Sequence, residues 1–216
     1  MLKKVDKTDK TITVVKNRPI DIVKRKVLLC GTRPIMFDRY AGDNNTKLEP
    51  EQKLYLIPGS KVISLPAINF MSLLTAHNTN SAPKRLRDKR KYKDICNACL
   101  SFVEIEPEYI PFMRDEKQIV FDGFVDDRDA PGIGRRDPSS DVWIDQRVAR
   151  LDKGIPNPKI RPVLPLPWSL GFVLTIFPNS EIKEQEIKNL IADGGRALGL
   201  GTFRGSFGKF EIEIWE

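Results

Sequence analysis

GGRALGLGTFRGSFGKFEIEIW, residues 194–215, decides how this chain is read. Its end, Phe210–Trp215, alternates apolar and acidic residues, the period of a strand with one wet face. Just upstream, Ile182, Ile187, Leu190 and Ile191 fall close to one face of a helix, with Asn179 or Ser180 as its cap. Between helix and strand stand Gly199, Gly201, Gly205 and Gly208, which let the backbone take positive φ and approach something closely. Arg204 and Lys209 lie inside that turn and Phe203 and Phe207 flank it, so amides and cations together would make an anion cradle. A dinucleotide fingerprint needs strand, then glycines, then helix. The order here is the reverse, and that reading falls. Glycine can also simply end a helix and turn the chain, and the glycines alone do not choose between cradle and turn.

Outward from this segment, Leu170–Phe177 (LGFVLTIF) reads as a strand buried on both faces. At the other end Thr11–Lys16 and Ile20–Phe37 are rich in β-branched residues and read as strands, the second broken near Gly31 and Pro34. Ser64 is an N-cap and Pro66 suits the first turn of an apolar helix holding Leu65, Ile68, Met71, Leu73 and Leu74. Strand, helix and strand at each end predict one α+β domain over 1–216, a split βαβ, ferredoxin-like (RRM-like) sheet with helices on one face. The core spans about 20–77 and 160–216, with insertions at about 78–100 and 126–159. Asp38–Lys53 reads as an exposed loop. Short apolar runs between Phe102 and Phe124 read as strands, and Asp126–Lys159, dense in Gly, Pro, Asp and Arg, as a long thumb-like loop or protruding hairpin.

The chain of 216 residues is 40% hydrophobic and 30% charged, which excludes wholesale disorder. No apolar run approaches the roughly 18 residues that a membrane span needs. The start lacks a secretory apolar stretch, and three cysteines cannot make a disulfide framework, so the expected compartment is reducing and cytoplasmic. The net charge is +7, and it is unevenly placed: residues 1–27 carry nine Lys/Arg against three Asp, and KRLRDKRKYK (84–93) has seven basic residues. Such runs are commonly solvated faces, but cations this dense repel one another unless an anion neutralises them. Lys84, Arg85, Arg87 and Arg90 are therefore candidate phosphate contacts.

Catalytic and metal chemistry has few footholds. Cys96-Asn-Ala-Cys99 has the spacing of half a zinc site, and Cys30 and His77 are the other soft donors; two small buried residues a helical turn apart are the simpler reading. No base is paired with a Ser or Cys nucleophile, His77 closes an apolar helix, and no cofactor is expected. Asp126, Asp127 and Asp129 are interleaved with Arg128 and Pro131, as in a solvated loop.

The glycine-rich turn resembles the G-loop of the RAMP superfamily, the RNA-binding proteins of CRISPR effector complexes. Two further segments agree, in order. Ile57, Pro58, Gly59 and Ser60 are similar to the family's I-P-G-S segment, though the usual Lys-Gly that follows is absent, and VWIDQRVARLDKG (142–154) is similar to its I-D-R-x-T-G-x-A segment. Together they cover most of the chain from Lys26 onward, and the match is best to the backbone subunit that polymerises along guide RNA. The resemblance implies RNA binding in antiviral defence, with guide RNA, target DNA or RNA, further copies of the chain and other effector subunits as partners. It implies a thumb within Asp126–Lys159, where Arg135, Arg136 and Arg147 would neutralise phosphates and Trp143 or Ile144 would wedge a base, unless Trp143 packs in the core. It places Ser60 and Lys61 at the start of the first helix, where the dipole favours phosphate, and makes Arg204 and Lys209 further phosphate contacts. Some relatives cut target RNA with an aspartate in the loop before I-P-G-S. Asp43 lies in the corresponding loop with Asp38 as its neighbour, although aspartate beside Asn-Asn is usually turn chemistry. The resemblance thus leaves a non-catalytic guide-display role, an endoribonuclease (metal-dependent target cutting through Asp43, or guide processing through His77), and a scaffold that has lost RNA.

Overall fold

The computed structural model describes residues 21–43, 45–75, 92–124, 142–150 and 156–216. The first strand, β1 (Val23–Gly31), alternates because one face is covered: Val27 and Leu29 are buried while Lys24 and Lys26 face solvent. It pairs antiparallel with β10 (Phe210–Trp215) on one side and β9 (Ser169–Ile176) on the other. The far edge of β9 is covered by β4 (Val103–Glu106) and then β5 (Tyr109–Arg114), two segments of one path that bends at Pro107. The order β10-β1-β9-β4/β5, with α1 (Ala67–Thr75) before β4 and α3 (Glu184–Ala197) before β10, is the ferredoxin-like arrangement expected from the sequence. The fold is α+β.

Beyond β5, the sheet adds β3 (Ser64–Pro66) and β6 (Lys117–Gln118). The core lies between sheet and helices: Phe70 of α1 meets Phe172 of β9 at 4.8 Å and Phe210 of β10 at 6.5 Å between ring centroids. Helix α2 (Tyr92–Phe102) packs on α1 and buries Ile95, Ala98 and Cys99. A second, three-stranded sheet follows the order β2-β8-β7, from β2 (Ile35–Met36), β8 (Pro156–Leu164) and β7 (Trp143–Arg150). Only Thr32–Pro34 separate β1 from β2, so the small sheet hangs from the end of the large one. Trp168 closes that junction, donating its Nε1–H to Arg33 O at 2.9 Å and filling the space where a side chain on Gly31 would stand.

Some expectations need correction. Ser64 and Pro66 belong to strand β3, paired with Pro111 and Tyr109, and the helix begins only at Ala67. An apolar Leu-Pro step fits an edge strand, where the missing N–H points away from the ladder. Asn179 accepts hydrogen bonds from Glu181 N and Ile182 N, but α3 starts at Glu184, so Asn179 builds the turn before the helix. Strand β9 is not buried on both faces throughout: Gly171 is exposed and Val173 half-buried. Strand β10 has the expected wet face at Glu211 and Glu213, with a bulge opposite Leu28/Leu29. Thr11–Lys16 and His77 lie outside the described residues. No helix among the described residues is long and apolar enough to cross a membrane.

Two measurements check this packing. A Cβ on Gly195 would strike the Phe210 carbonyl oxygen and approach its ring at 2.7 Å, whereas one on Gly171 meets only Leu28 Cδ1 at 3.8 Å. Overpacking costs about 1–3 kcal/mol, which exceeds the roughly 1 kcal/mol that Gly→Ala contributes inside a helix. Gly195→Ala should therefore lower Tm, and Gly171→Ala should leave it level or slightly higher. The second concerns Glu184 of α3, whose carboxylate accepts from Arg25 Nε at 2.6 Å and Trp215 Nε1 at 2.8 Å. Those bonds, Arg25 first, hold its pKa below the ordinary glutamate value. A depressed folded pKa contributes stability above the unfolded value, about 4.3, and loses it as pH falls through the folded one. Glu184→Gln should be less stable than wild type at neutral pH, the gap closing in melts taken below about pH 4.

Candidate nucleic-acid interface

The glycine-rich loop lies where the two sheets meet, and its backbone is bonded to the link between them. Thr202 N–H donates to Met36 O at 2.9 Å and Gly208 N–H to Pro34 O at 2.7 Å, while Thr32 N–H donates to Lys209 O at 2.8 Å. Within the loop Leu200 N–H reaches Gly208 O and Gly205 N–H reaches Leu198 O. A side chain at Gly201 would collide with the Met36 carbonyl and one at Gly208 with that of Leu200, and both have positive φ, 73° and 68°. Much of the glycine pattern is thus the geometry of two backbones in contact. Amides of Gly199, Leu200, Thr202 and Gly205–Gly208 already donate to carbonyls, so the anion cradle read from the sequence is largely a structural turn. Gly205, at φ 93°, is the one of these four loop glycines at which an added Cβ would meet nothing within 4 Å.

Phe203, at the crest, holds φ 52°. A bulky side chain in the left-handed region costs about 1–3 kcal/mol and persists only where its surroundings dictate it. The surroundings are one face of the β7–β8 hairpin. Register pairs Trp143 with Val163, Asp145 with Arg161 and Arg147 with Lys159, so these side chains share a face. The Arg147 guanidinium stands over the Phe203 and Phe207 rings, 5.3 and 4.8 Å from their centroids, and Arg161 stands over Phe203 at 5.1 Å. Each guanidinium is fixed in its own plane by a carboxylate. Asp145, fully buried, accepts from Arg147 Nε and Nη2 at 2.6 and 2.7 Å. Asp38 accepts from Arg161 Nε at 2.7 Å. The Nε and Nη2 donors are committed to acids, and the flat faces are turned to aromatic rings. Trp143 Nε1 and Arg161 Nη1 are buried with no acceptor among the described residues, a costly condition that calls for an explanation.

The other sequence candidates separate. Arg147 sits in this cluster with its charge matched by Asp145. Trp143 and Ile144 are buried, at 4% and 0% exposure, so neither is an exposed wedge; strand β7 carries them into the small sheet. Arg204 reaches back to α1, Nη2 to Ser72 Oγ at 3.3 Å, and burial lowers its pKa. Lys209 is half-buried at the foot of the loop. Ser60 and Lys61 are not at a helix start: they lie in an exposed turn before β3, where Ser60 Oγ accepts from Val62 N at 3.1 Å, six residues ahead of α1. That turn is at the β3 end of the strand order, opposite β10. Asp43 is tied into turn chemistry: its carboxylate accepts from Asn45 N, Thr46 N and Thr46 Oγ1 at 2.6–2.7 Å, which lower its pKa. Cys96 and Cys99 are buried on α2, burial pushing the Cys99 thiol up to about 12, and no metal-ligand group of three or more occurs among the described residues. Lys84, Arg85, Arg87, Arg90, Arg135 and Arg136 lie outside the described residues.

Sequence reasoning missed Asp38, Asp145 and Arg161 as a unit. The signal available was weak: an acid and a base alternating in WIDQR, and an Arg in PKIRPVL.

No family model matches this sequence, and no curated protein matches it. Its fold is similar to that of a chain in the cryo-EM structure of the Type III-B Cmr-beta bound to cognate target RNA, with a TM-score of 0.51 and 12% identity. The likeness covers 90% of this chain, which spans 60% of the length of that one.

Breaking the Asp145–Arg147 pair tests the cluster. Removing one partner of a buried pair costs about 3–5 kcal/mol; Arg147 keeps some access to water, so Asp145→Asn should lose about 2–3 kcal/mol in urea unfolding.

Proposed function

We propose that this chain is a non-catalytic RNA-binding backbone subunit of a CRISPR effector complex. Copies stack along guide RNA, together with other effector subunits, and present it to a DNA or RNA target. The observation that carries the reading is the glycine-rich loop fixed between a ferredoxin-like sheet and the paired strands β7 and β8, the first of which lies within the 126–159 stretch expected to form the thumb. The three sequence segments in RAMP order support it, and so does the likeness in fold to a chain of an RNA-bound Cmr assembly. The Asx-turn bonding of Asp43 weighs against target cutting there.

Charge placement divides the labour. Residues 1–20 hold six Lys/Arg and two Asp, residues 76–91 six and one, residues 125–141 three and five, and residues 151–155 one and one. The whole excess of +7 therefore sits in those stretches, and the described residues carry twenty bases and twenty acids. Phosphate attraction belongs to the basic runs.

Fluorescence anisotropy with a labelled single-stranded oligoribonucleotide tests this. Affinity should fall steeply between 50 and 200 mM salt, with a slope of about −0.7 per phosphate contacted. Reversing Lys84, Arg85, Arg87 and Arg90 to Glu together should weaken binding at least tenfold, roughly 1.4 kcal/mol, and flatten that slope. Folded protein that binds no RNA, alone or with other effector subunits, would sink the reading and favour the scaffold.

A further inference from the structure

We propose that Arg147 and Arg161 form a stacking platform for one nucleobase of the bound strand, and that Phe203 covers that platform here in the base's place. This rests on the RNA-binding reading and gives the glycine loop a second task within it.

Three independent observations converge. The two guanidiniums are diagonal neighbours on one hairpin face, and their hydrogen-bonding edges are held by Asp145 and Asp38. Arginines so neutralised are poor phosphate ligands but keep flat, weakly hydrated faces, which stack on planar rings. The ring they hold belongs to a residue in a strained conformation, φ 52°, with Gly201 and Gly205 two residues to either side, both at positive φ. A strained, half-buried side chain between glycines is poised to leave when something of the same shape offers better contacts. Finally, Trp143 and Arg161, each more than nine-tenths buried on this same face, have donors without acceptors, Nε1 and Nη1. Benzene offers no acceptor to satisfy them. A nucleobase has the π-face of phenylalanine and also carbonyl and ring-nitrogen acceptors at its edge. The ligand class is thus a planar heterocycle rich in acceptors, supplied by an unpaired nucleotide.

The test uses the full chain and a uridine-rich single-stranded oligoribonucleotide carrying one 2-aminopurine, read by anisotropy for affinity and by 2-aminopurine fluorescence for stacking. Arg147→Lys keeps the charge beside Asp145 but removes the plane. It should weaken binding several-fold and relieve 2-aminopurine quenching, while the salt slope stays that of wild type. Phe203→Ala uncovers Arg161 and leaves only Phe207 over Arg147, and should tighten binding with deeper quenching, whereas Phe203→Trp covers the platform more firmly and should weaken binding. Wild-type affinity in Arg147→Lys overturns the platform but leaves RNA binding standing. Weaker binding by a folded Phe203→Ala makes Phe203 itself the stacking residue and also overturns it. If Phe203→Ala fails to fold, Arg147→Lys and Phe203→Trp decide alone. Absence of binding by every variant, wild type included, removes the platform together with the RNA reading.

Discussion

Everything at the candidate interface depends on a contact between two stretches of main chain. The loop after α3 lies so close to β2 that the Met36 carbonyl oxygen occupies the space where a side chain at Gly201 would stand, and it folds on itself so tightly that the Leu200 carbonyl does the same at Gly208. Hydrogen bonds from Thr202 to Met36 and from Gly208 to Pro34 then fix the loop in register with the start of the small sheet. A backbone bond of this kind contributes only about 1 kcal/mol net. Its importance is positional: Met36 is paired to Val163, and Val163 to Trp143, so the loop's place relative to the hairpin is set through three successive backbone pairings. Phe203 and Phe207 reach the guanidiniums because of that chain of registers.

The ion pairs at the hairpin add specificity more than stability. Asp145 has no exposed surface, and its desolvation is offset by the two short bonds to Arg147. An apolar pair of the same volume could serve stability as well. What an apolar pair could not do is hold a guanidinium plane against a ring. The same logic separates this pair from Lys61–Asp122, whose side chains are 72% and 93% exposed at 3.8 Å. Such a surface pair contributes close to nothing, and it assigns Lys61 no defined role.

The architecture was legible where period and burial agree. Strand β10 alternates, α3 has an apolar stripe, and β1 breaks at Gly31 and Pro34, so the ferredoxin-like order followed from local patterns. Ser64–Pro66 misled because Ser then Pro is both a good helix start and an acceptable edge strand; tertiary pairing with β5 decided between them. The small sheet was invisible because Pro156, Pro158 and Pro162 punctuate β8 in a way that reads as loop. Prolines are tolerated there since β2 reaches only Val163 and Leu164, so along 156–162 the strand pairs with β7 alone and its other edge needs no N–H. The candidate site was half legible: glycines and aromatics of the loop stand out, whereas its counterpart is three charged residues far apart in sequence that only β-register brings together.

Charge balance gives the last step. Cations that attract a polyanion must be poor in partners; the described residues balance at twenty bases and twenty acids, and three of their arginines are organised the other way. Arg25 is matched by Glu184, Arg147 by Asp145 and Arg161 by Asp38. On the proposed RNA-binding reading, long-range attraction comes from the two basic runs, which would act through screened Coulomb forces and weaken with salt. On that same reading, shape recognition falls to the balanced part of the chain, where stacking and buried donors would act at contact and be indifferent to ionic strength. A protein that must hold one strand firmly yet read it locally benefits from placing these two tasks on different segments, because each can then change without disturbing the other.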